Sequence, residues 1–66
     1  MNPLDLIIDN KKYEYVNNIC LNDINYIAFK DQNYLYIKEY KIIENKLKII
    51  DIDDITYVKI RKLMNL

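Results

Sequence analysis

The fold is decided by residues 13–37, which read YEYVNNICL, ND, INYIAFK, DQN and YLYI in order. The three longer runs are rich in β-branched and aromatic residues, and in residues 13–21 polar residues separate them, which is typical of β-strands. Asn and Asp adopt positive φ more readily than other residues with a side chain. Asn22-Asp23 therefore predicts a two-residue type I′ turn. Asp31-Gln32-Asn33 predicts a three-residue loop with Asn33 in the left-handed conformation.

Two further strands are predicted outside this stretch. An apolar run over residues 4–9 ends at the polar break 10–12, and a short strand over 47–50 follows the break 44–46. The central strands are expected over 13–21, 24–30 and 34–43.

The last segment, residues 53–64, fits a helix, because acidic residues lie at its N-cap and in its first turn and basic residues fall late in it. One helical stripe would contain Ile55, Val58 and Lys62, and a neighbouring stripe Tyr57, Ile60 and Met64. The β-branched and aromatic residues over 55–60 favour a strand instead, so both states stay open. The prediction is a single small domain over 1–66, β-rich α+β, with an antiparallel meander of four or five strands and a short C-terminal helix.

The chain of 66 residues contains no Gly, His or Trp, and no Ser. Nucleophile-and-base triads and the glycine-rich loops that hold phosphates need those residue types. Asp51, Asp53 and Asp54 cluster without the glycine and distal Glu of a calcium loop, which favours helix capping over metal binding. Cys20 is expected to be a small buried hydrophobic residue. We therefore predict a protein that is not an enzyme and has no cofactor or metal.

Ten basic and ten acidic residues cancel. A neutral chain has no overall field that attracts nucleic acid, so a nucleic-acid partner is unlikely. No apolar run approaches the ~20 residues that cross a bilayer, and the first residues lack the features of a signal peptide. The single cysteine agrees with a reducing compartment. The sequence thus predicts a cytoplasmic protein with no membrane association.

The predicted register divides the large residues between two sides of the sheet, with Val16 facing Phe29 and Phe29 facing Leu35. One side then contains Val16, Cys20, Ile27, Phe29, Leu35 and Ile37. The other contains Tyr15, Ile19, Leu21, Ile24, Tyr26, Ala28, Tyr34, Tyr36 and Tyr40. One helix covers one side only, so the tyrosine side is either half exposed in a twisted sheet or bound by a partner.

Tyrosine is enriched at protein interfaces. The binding hypothesis therefore names a protein partner or a second copy of the chain, bound through Tyr15, Tyr26, Tyr34, Tyr36 and Tyr40. The alternative is single-stranded nucleic acid stacked on Tyr34, Tyr36 and Tyr40, with Lys30 and Lys38 beside them. A metal-binding or enzymatic role for the acidic cluster ranks last.

The order of the hairpins and the Tyr26-Ile27-Ala28 strand resemble the YrzB-like family of small uncharacterised bacterial domains. The similar segments are Leu6-Ile7-Ile8-Asp9-Asn10, residues 12–16, 24–29 and 34–37, and the closing Ile52-Asp53-Asp54. The resemblance implies a small β-rich cytoplasmic protein and assigns no functional residue.

Overall fold

Five strands and one helix make up residues 5–66, the part of the chain that this computed structural model describes. The strands are β1 (Asp5–Ile8), β2 (Lys11–Leu21), β3 (Ile24–Lys30), β4 (Leu35–Ile43) and β5 (Lys46–Ile50), and the helix is α1 (Asp54–Leu63). The strands lie in the order β1-β2-β3-β4-β5, and each pairs antiparallel with its neighbour in sequence. The predicted meander with a C-terminal helix is therefore confirmed. Residue 4, included in the first predicted strand, lies outside the described residues.

Three of the four hairpins turn through two residues that both have positive φ, the pattern of type I′ turns. The pairs are Asp9-Asn10, Asn22-Asp23 and Glu44-Asn45, with φ between 51° and 65°. The prediction for Asn22-Asp23 is confirmed. The first and last turns contain two residues each, one fewer than the predicted breaks 10–12 and 44–46. They are shorter because Lys11 already belongs to β2 and Lys46 to β5.

The β3–β4 loop differs from the prediction. Asn33 does not have positive φ. The Asp31 carboxylate instead accepts hydrogen bonds from the backbone N–H groups of Asn33 and Tyr34, at 2.8 and 2.9 Å. Four residues, 31–34, now separate the strands, so Phe29 pairs with Tyr36 and not with Leu35.

A β-bulge at Val16 shifts the register of the β2–β3 pair. Leu21 faces Ile24 and Asn17 faces Ala28 as predicted, but Tyr15, and not Val16, faces Phe29. A bulge places one extra residue on one strand, and a shift of one residue moves a side chain to the other side of the sheet. The prediction of which residues share a side of the sheet was therefore wrong for two strands. The bulge places Tyr15, and the longer loop places Tyr36, on the same side as Phe29.

Helix α1 packs on one side of the sheet and settles the choice between helix and strand. Asp53 caps its N-terminus by accepting a hydrogen bond from the Thr56 N–H at 2.8 Å. Hydrogen bonding from the Thr56 side chain, followed by that from its backbone N–H, lowers the pKa of the Asp53 carboxyl. Ile60 is completely buried, whereas Ile55 is 82% exposed. The stripe containing Ile60 and Met64 is thus the packed one, against Tyr26, Ala28 and Ile37 of the sheet.

Replacing Ile60 tests this packing. Ile60→Val is expected to lower the free energy of unfolding by about 0.5–1.5 kcal/mol, because it leaves a small cavity at a fully buried position. Urea denaturation followed by circular dichroism measures the change. The control is Ile55→Val, which should stay within about 0.5 kcal/mol of the wild type. Equal losses from the two variants would contradict the described helix orientation.

The Glu44-Asn45 turn gives a second test, because Glu44 has φ 52° without the local hydrogen bonding that suits Asn to this region. Glu44→Asn is expected to raise the free energy of unfolding by about 0.5–1 kcal/mol. The control is Glu14→Asn, in extended backbone on β2, where Asn is disfavoured and no gain is expected. A destabilised Glu44→Asn variant would show that the turn conformation is different.

Candidate functional site

The side of the sheet away from α1 carries most of the predicted tyrosines. We call this side the open face and define it by Tyr13, Tyr15, Phe29, Tyr36 and Tyr40. Tyr15 and Tyr36 flank Phe29 on the neighbouring strands, and Tyr40 pairs with Asn25, which shares the side of Phe29. The pairing therefore brings three of the five predicted residues to one surface.

Tyr26 does not belong to the open face. Its neighbour in register is Ile19, and both pack with α1. Tyr26 is only 7% exposed. The prediction grouped it with Tyr15 and Tyr36 because it included neither the bulge at Val16 nor the four-residue loop.

Tyr34 lies in the β3–β4 loop beside the open face and is 67% exposed. Its ring meets the ring of Tyr36 edge to face, with centroids 6.1 Å apart. The loop that carries it is held by the Asp31 carboxylate, so this large exposed ring has a defined position.

Tyr13 forms an aromatic cluster with Phe29 and Tyr36. The sequence prediction did not include it among the site residues. Its ring lies edge-on to Phe29 at 5.0 Å and to Tyr36 at 5.6 Å between centroids, and Phe29 stacks on Tyr36 at 5.4 Å. Offset and edge-to-face pairs of this kind stabilise beyond the area they bury. Phe29 is only 3% exposed although no helix covers it. Strand alternation already placed Tyr13 on the same side as Tyr15, so the signal was present in the sequence.

Tyr15 and Cys20 lie in the half of the open face next to the bulge. The Tyr15 hydroxyl donates a hydrogen bond to the Asn18 side chain. Cys20, which pairs with Asn25, is exposed and not buried as predicted. It belongs to a more polar part of the surface than the one around Phe29.

Asp31 connects the loop, the aromatic cluster and β2. Besides its two backbone donors it accepts from Lys11 Nζ and from the Tyr36 hydroxyl, each at 3.2 Å. The backbone N–H groups of Asn33 and Tyr34, followed by Lys11 and Tyr36, lower the pKa of Asp31 to about 2. Burial, followed by Asp31, raises the pKa of the Tyr36 hydroxyl, and the hydrogen bond to Asp31 raises that of Lys11. Lys11 Nζ also lies 5.1 Å from the centroid of the Tyr13 ring.

The lysines proposed for nucleic-acid binding are engaged elsewhere. Lys38 is on the open face but pairs with Asp51 at 2.8 Å, and this hydrogen bond lowers the pKa of Asp51. Lys30 is on the helix side, where it pairs with Glu14 at 3.0 Å. Neither one leaves a bare positive charge beside the tyrosines, which a phosphate-binding groove requires.

The acidic segment before α1 has structural partners, since Asp51 pairs with Lys38 and Asp53 caps the helix. Over residues 5–66 no three side chains of His, Cys, Asp or Glu come together as metal ligands would. The same part of the chain contains no helix with the length and apolar character needed to cross a membrane.

Comparison of the chain with protein-family models, with curated proteins and with solved structures gives no match. The resemblance to the YrzB-like family therefore stays a prediction, and the geometry of the open face carries the functional argument.

Asp31 makes the loop sensitive to acid. Because the folded state lowers its pKa, the charged carboxylate stabilises the fold at pH values above the ordinary Asp pKa of about 3.9. This stabilisation is expected to disappear as the pH falls from about 4 towards the pKa of about 2. Asp31→Asn keeps one acceptor oxygen but has no charge. Its free energy of unfolding should therefore fall less than that of the wild type over this pH range. Urea midpoints measured at several pH values check this.

Asp31→Ala is the companion variant, since it removes the acceptors at every pH and should be less stable than Asp31→Asn at pH 7. Identical pH profiles for the wild type and Asp31→Asn would exclude the charge of Asp31 as the cause.

Proposed function

We propose that this protein is a non-enzymatic interaction module that binds a protein partner through the open face, with Tyr34 at its edge. The observation that carries the proposal is the placement of Tyr34, 67% exposed, on a loop braced by Asp31 and against the ring of Tyr36. An exposed aromatic ring that is already held in place loses little conformational freedom on binding. Tyrosine is also among the residues that most often dominate binding energy.

The neighbouring rings support the same function. Tyr15, Tyr36 and Tyr40 are half-buried, so their hydroxyls and ring edges extend the surface around Tyr34 without requiring the sheet to open. The lysine and carboxylate pairs at its border leave the surface with balanced charge. Such a surface, apolar at its centre and polar at its rim, is typical of protein interfaces.

A second copy of the chain is included among the partners. A domain of this size buries only about 60% of the surface that its unfolded chain exposes, so association adds apolar burial that the fold lacks. The single Cys20, which forms no disulfide within the described residues, supports a cytoplasmic location as part of the proposal.

Site-specific photocrosslinking tests the proposal. A photoreactive phenylalanine analogue is placed at position 34, and in a matched control at position 55, which is more exposed but lies on the opposite side. In cells that express the protein, a discrete crosslinked product is expected from position 34 and not from position 55.

The binding energy is tested separately with the partner so identified, or with the protein alone if the product is a dimer. Tyr34→Ala is expected to weaken binding by about tenfold or more, as a dominant interface tyrosine does. Titration calorimetry or sedimentation measures the change. Equal crosslinking from both positions, or an unchanged affinity in Tyr34→Ala, would contradict the proposal. A product that contains RNA would favour the nucleic-acid alternative instead.

A further inference from the structure

The two edge strands of the sheet present unpaired backbone on the same side of the molecule. Among the described strands β1 pairs only with β2, and β5 only with β4. Four chain reversals separate β1 from β5, so these two strands run in the same direction. One additional strand can therefore lie antiparallel to both.

The curl of the sheet brings the two edges to a shared cavity. This cavity has a volume of about 310 Å³ and is lined by Ile7, Ile8 and Asp9 from β1 and its turn, and by Leu47, Lys48 and Ile49 from β5. Binding pockets for extended or small ligands begin at about this volume. The gap is thus bounded on both sides by strand edges, which are the surfaces that accept an added strand.

Both strands contribute apolar side chains to the border of the gap, beside the polar groups of Asp9, Lys48 and the strand backbones. Ile7 is 54% exposed and Leu47 is 41% exposed, while Ile8 and Ile49 are half-buried. Successive residues of an added strand would point alternately to the two sides of the sheet. Those on the side of Leu47 and Ile49 would contact apolar groups.

On the other side of β5 the charge is positive. Lys41 and Lys48 face each other directly across the β4–β5 pair, and Lys46 follows on the same side. All three are exposed, and none forms an ion pair within residues 5–66. Like charges directly opposite each other are unfavourable, and a carboxylate on the next strand would relieve them.

We propose that the gap between β1 and β5 binds an extended segment of a partner protein in which acidic and apolar residues alternate. The segment pairs antiparallel with both edges, its apolar side chains lie against Leu47 and Ile49, and its carboxylates lie beside Lys48. This second surface is separate from the open face around Tyr34 and does not rest on the function proposed for it.

The lysines also explain why this edge is not expected to pair with a second copy of itself. Two β5 strands side by side would bring Lys46 and Lys48 of each copy close to those of the other. Lysines on edge strands oppose such pairing in natural sheets. The same charges that exclude a second copy select an acidic strand.

Peptide binding tests the proposal directly. The probe is a seven-residue peptide that alternates Glu and Ile and is blocked at both ends; the controls are the same peptide with Lys in place of Glu, and a Glu version with alternate backbone nitrogens methylated. At low salt the acidic peptide is expected to bind at least tenfold more tightly than either control, because the first lacks the charge and the second lacks ladder donors. Amide NMR shifts report affinity, and hydrogen exchange should show new protection in both β1 and β5.

Charge-reversal variants of the protein complete the test. Lys48→Glu is expected to weaken binding of the acidic peptide about tenfold. Lys59→Glu makes the same charge change on the exposed side of α1 and should leave the affinity within about twofold. Tyr34→Ala should also leave it unchanged, which separates this proposal from the one for the open face. Circular dichroism confirms that each variant is folded.

Three results would overturn the proposal. The first is equal binding of the acidic and the basic peptide, and the second is equal binding of the methylated peptide. The third is hydrogen-exchange protection of β5 amides without protection of β1. Protection that rises with protein concentration in the absence of peptide would also overturn the proposal, because it would assign the edge to a second copy.

Discussion

The carboxylate of Asp31 is the group on which the arrangement of the sheet most depends. By accepting hydrogen bonds from the N–H groups of Asn33 and Tyr34, it shapes the four-residue connection between β3 and β4. That connection fixes the pairing of Phe29 with Tyr36 and of Ala28 with Ile37. A connection one residue shorter would move every side chain of β4 to the other side of the sheet. The division into a helix-covered side and an open face is therefore set at this loop.

The two sides of the sheet are stabilised in different ways. The side facing α1 is an ordinary apolar core in which Ile37 and Ile60 are almost fully enclosed. On the open face Phe29 reaches a similar degree of burial through the rings of Tyr13 and Tyr36, and the Tyr36 hydroxyl donates a hydrogen bond to Asp31. Tyrosine suits this position because one end of the side chain is apolar and the other forms hydrogen bonds. The chain thus encloses a second, smaller cluster without a second helix.

Much of this architecture could be predicted from the residues. The alternation of residue types predicted the strands, and Asn22-Asp23 predicted its turn. The charges around residues 53–64 predicted the helix, although the β-branched residues there favour a strand. The bulge at Val16 could not be predicted, since nothing in Val16-Asn17-Asn18 distinguishes a bulge from a continuous strand. The β3–β4 loop was missed because Asp31 replaces a left-handed residue by side-chain hydrogen bonds. These two local features moved Tyr26 away from the other predicted site residues, whereas Tyr13 shares the side of Tyr15 by strand alternation alone.

The meander also has a kinetic consequence. Within residues 5–66 every strand pairs only with the strand next to it in sequence, and three of the four connections between strands contain two residues. Native contacts in the sheet are therefore close in sequence, and low contact order is associated with rapid folding even in β-rich domains. Each hairpin can form by local closure, and α1 then needs only to dock from the adjoining segment. A chain built in this way spends little time with its strand edges exposed before the fold is complete.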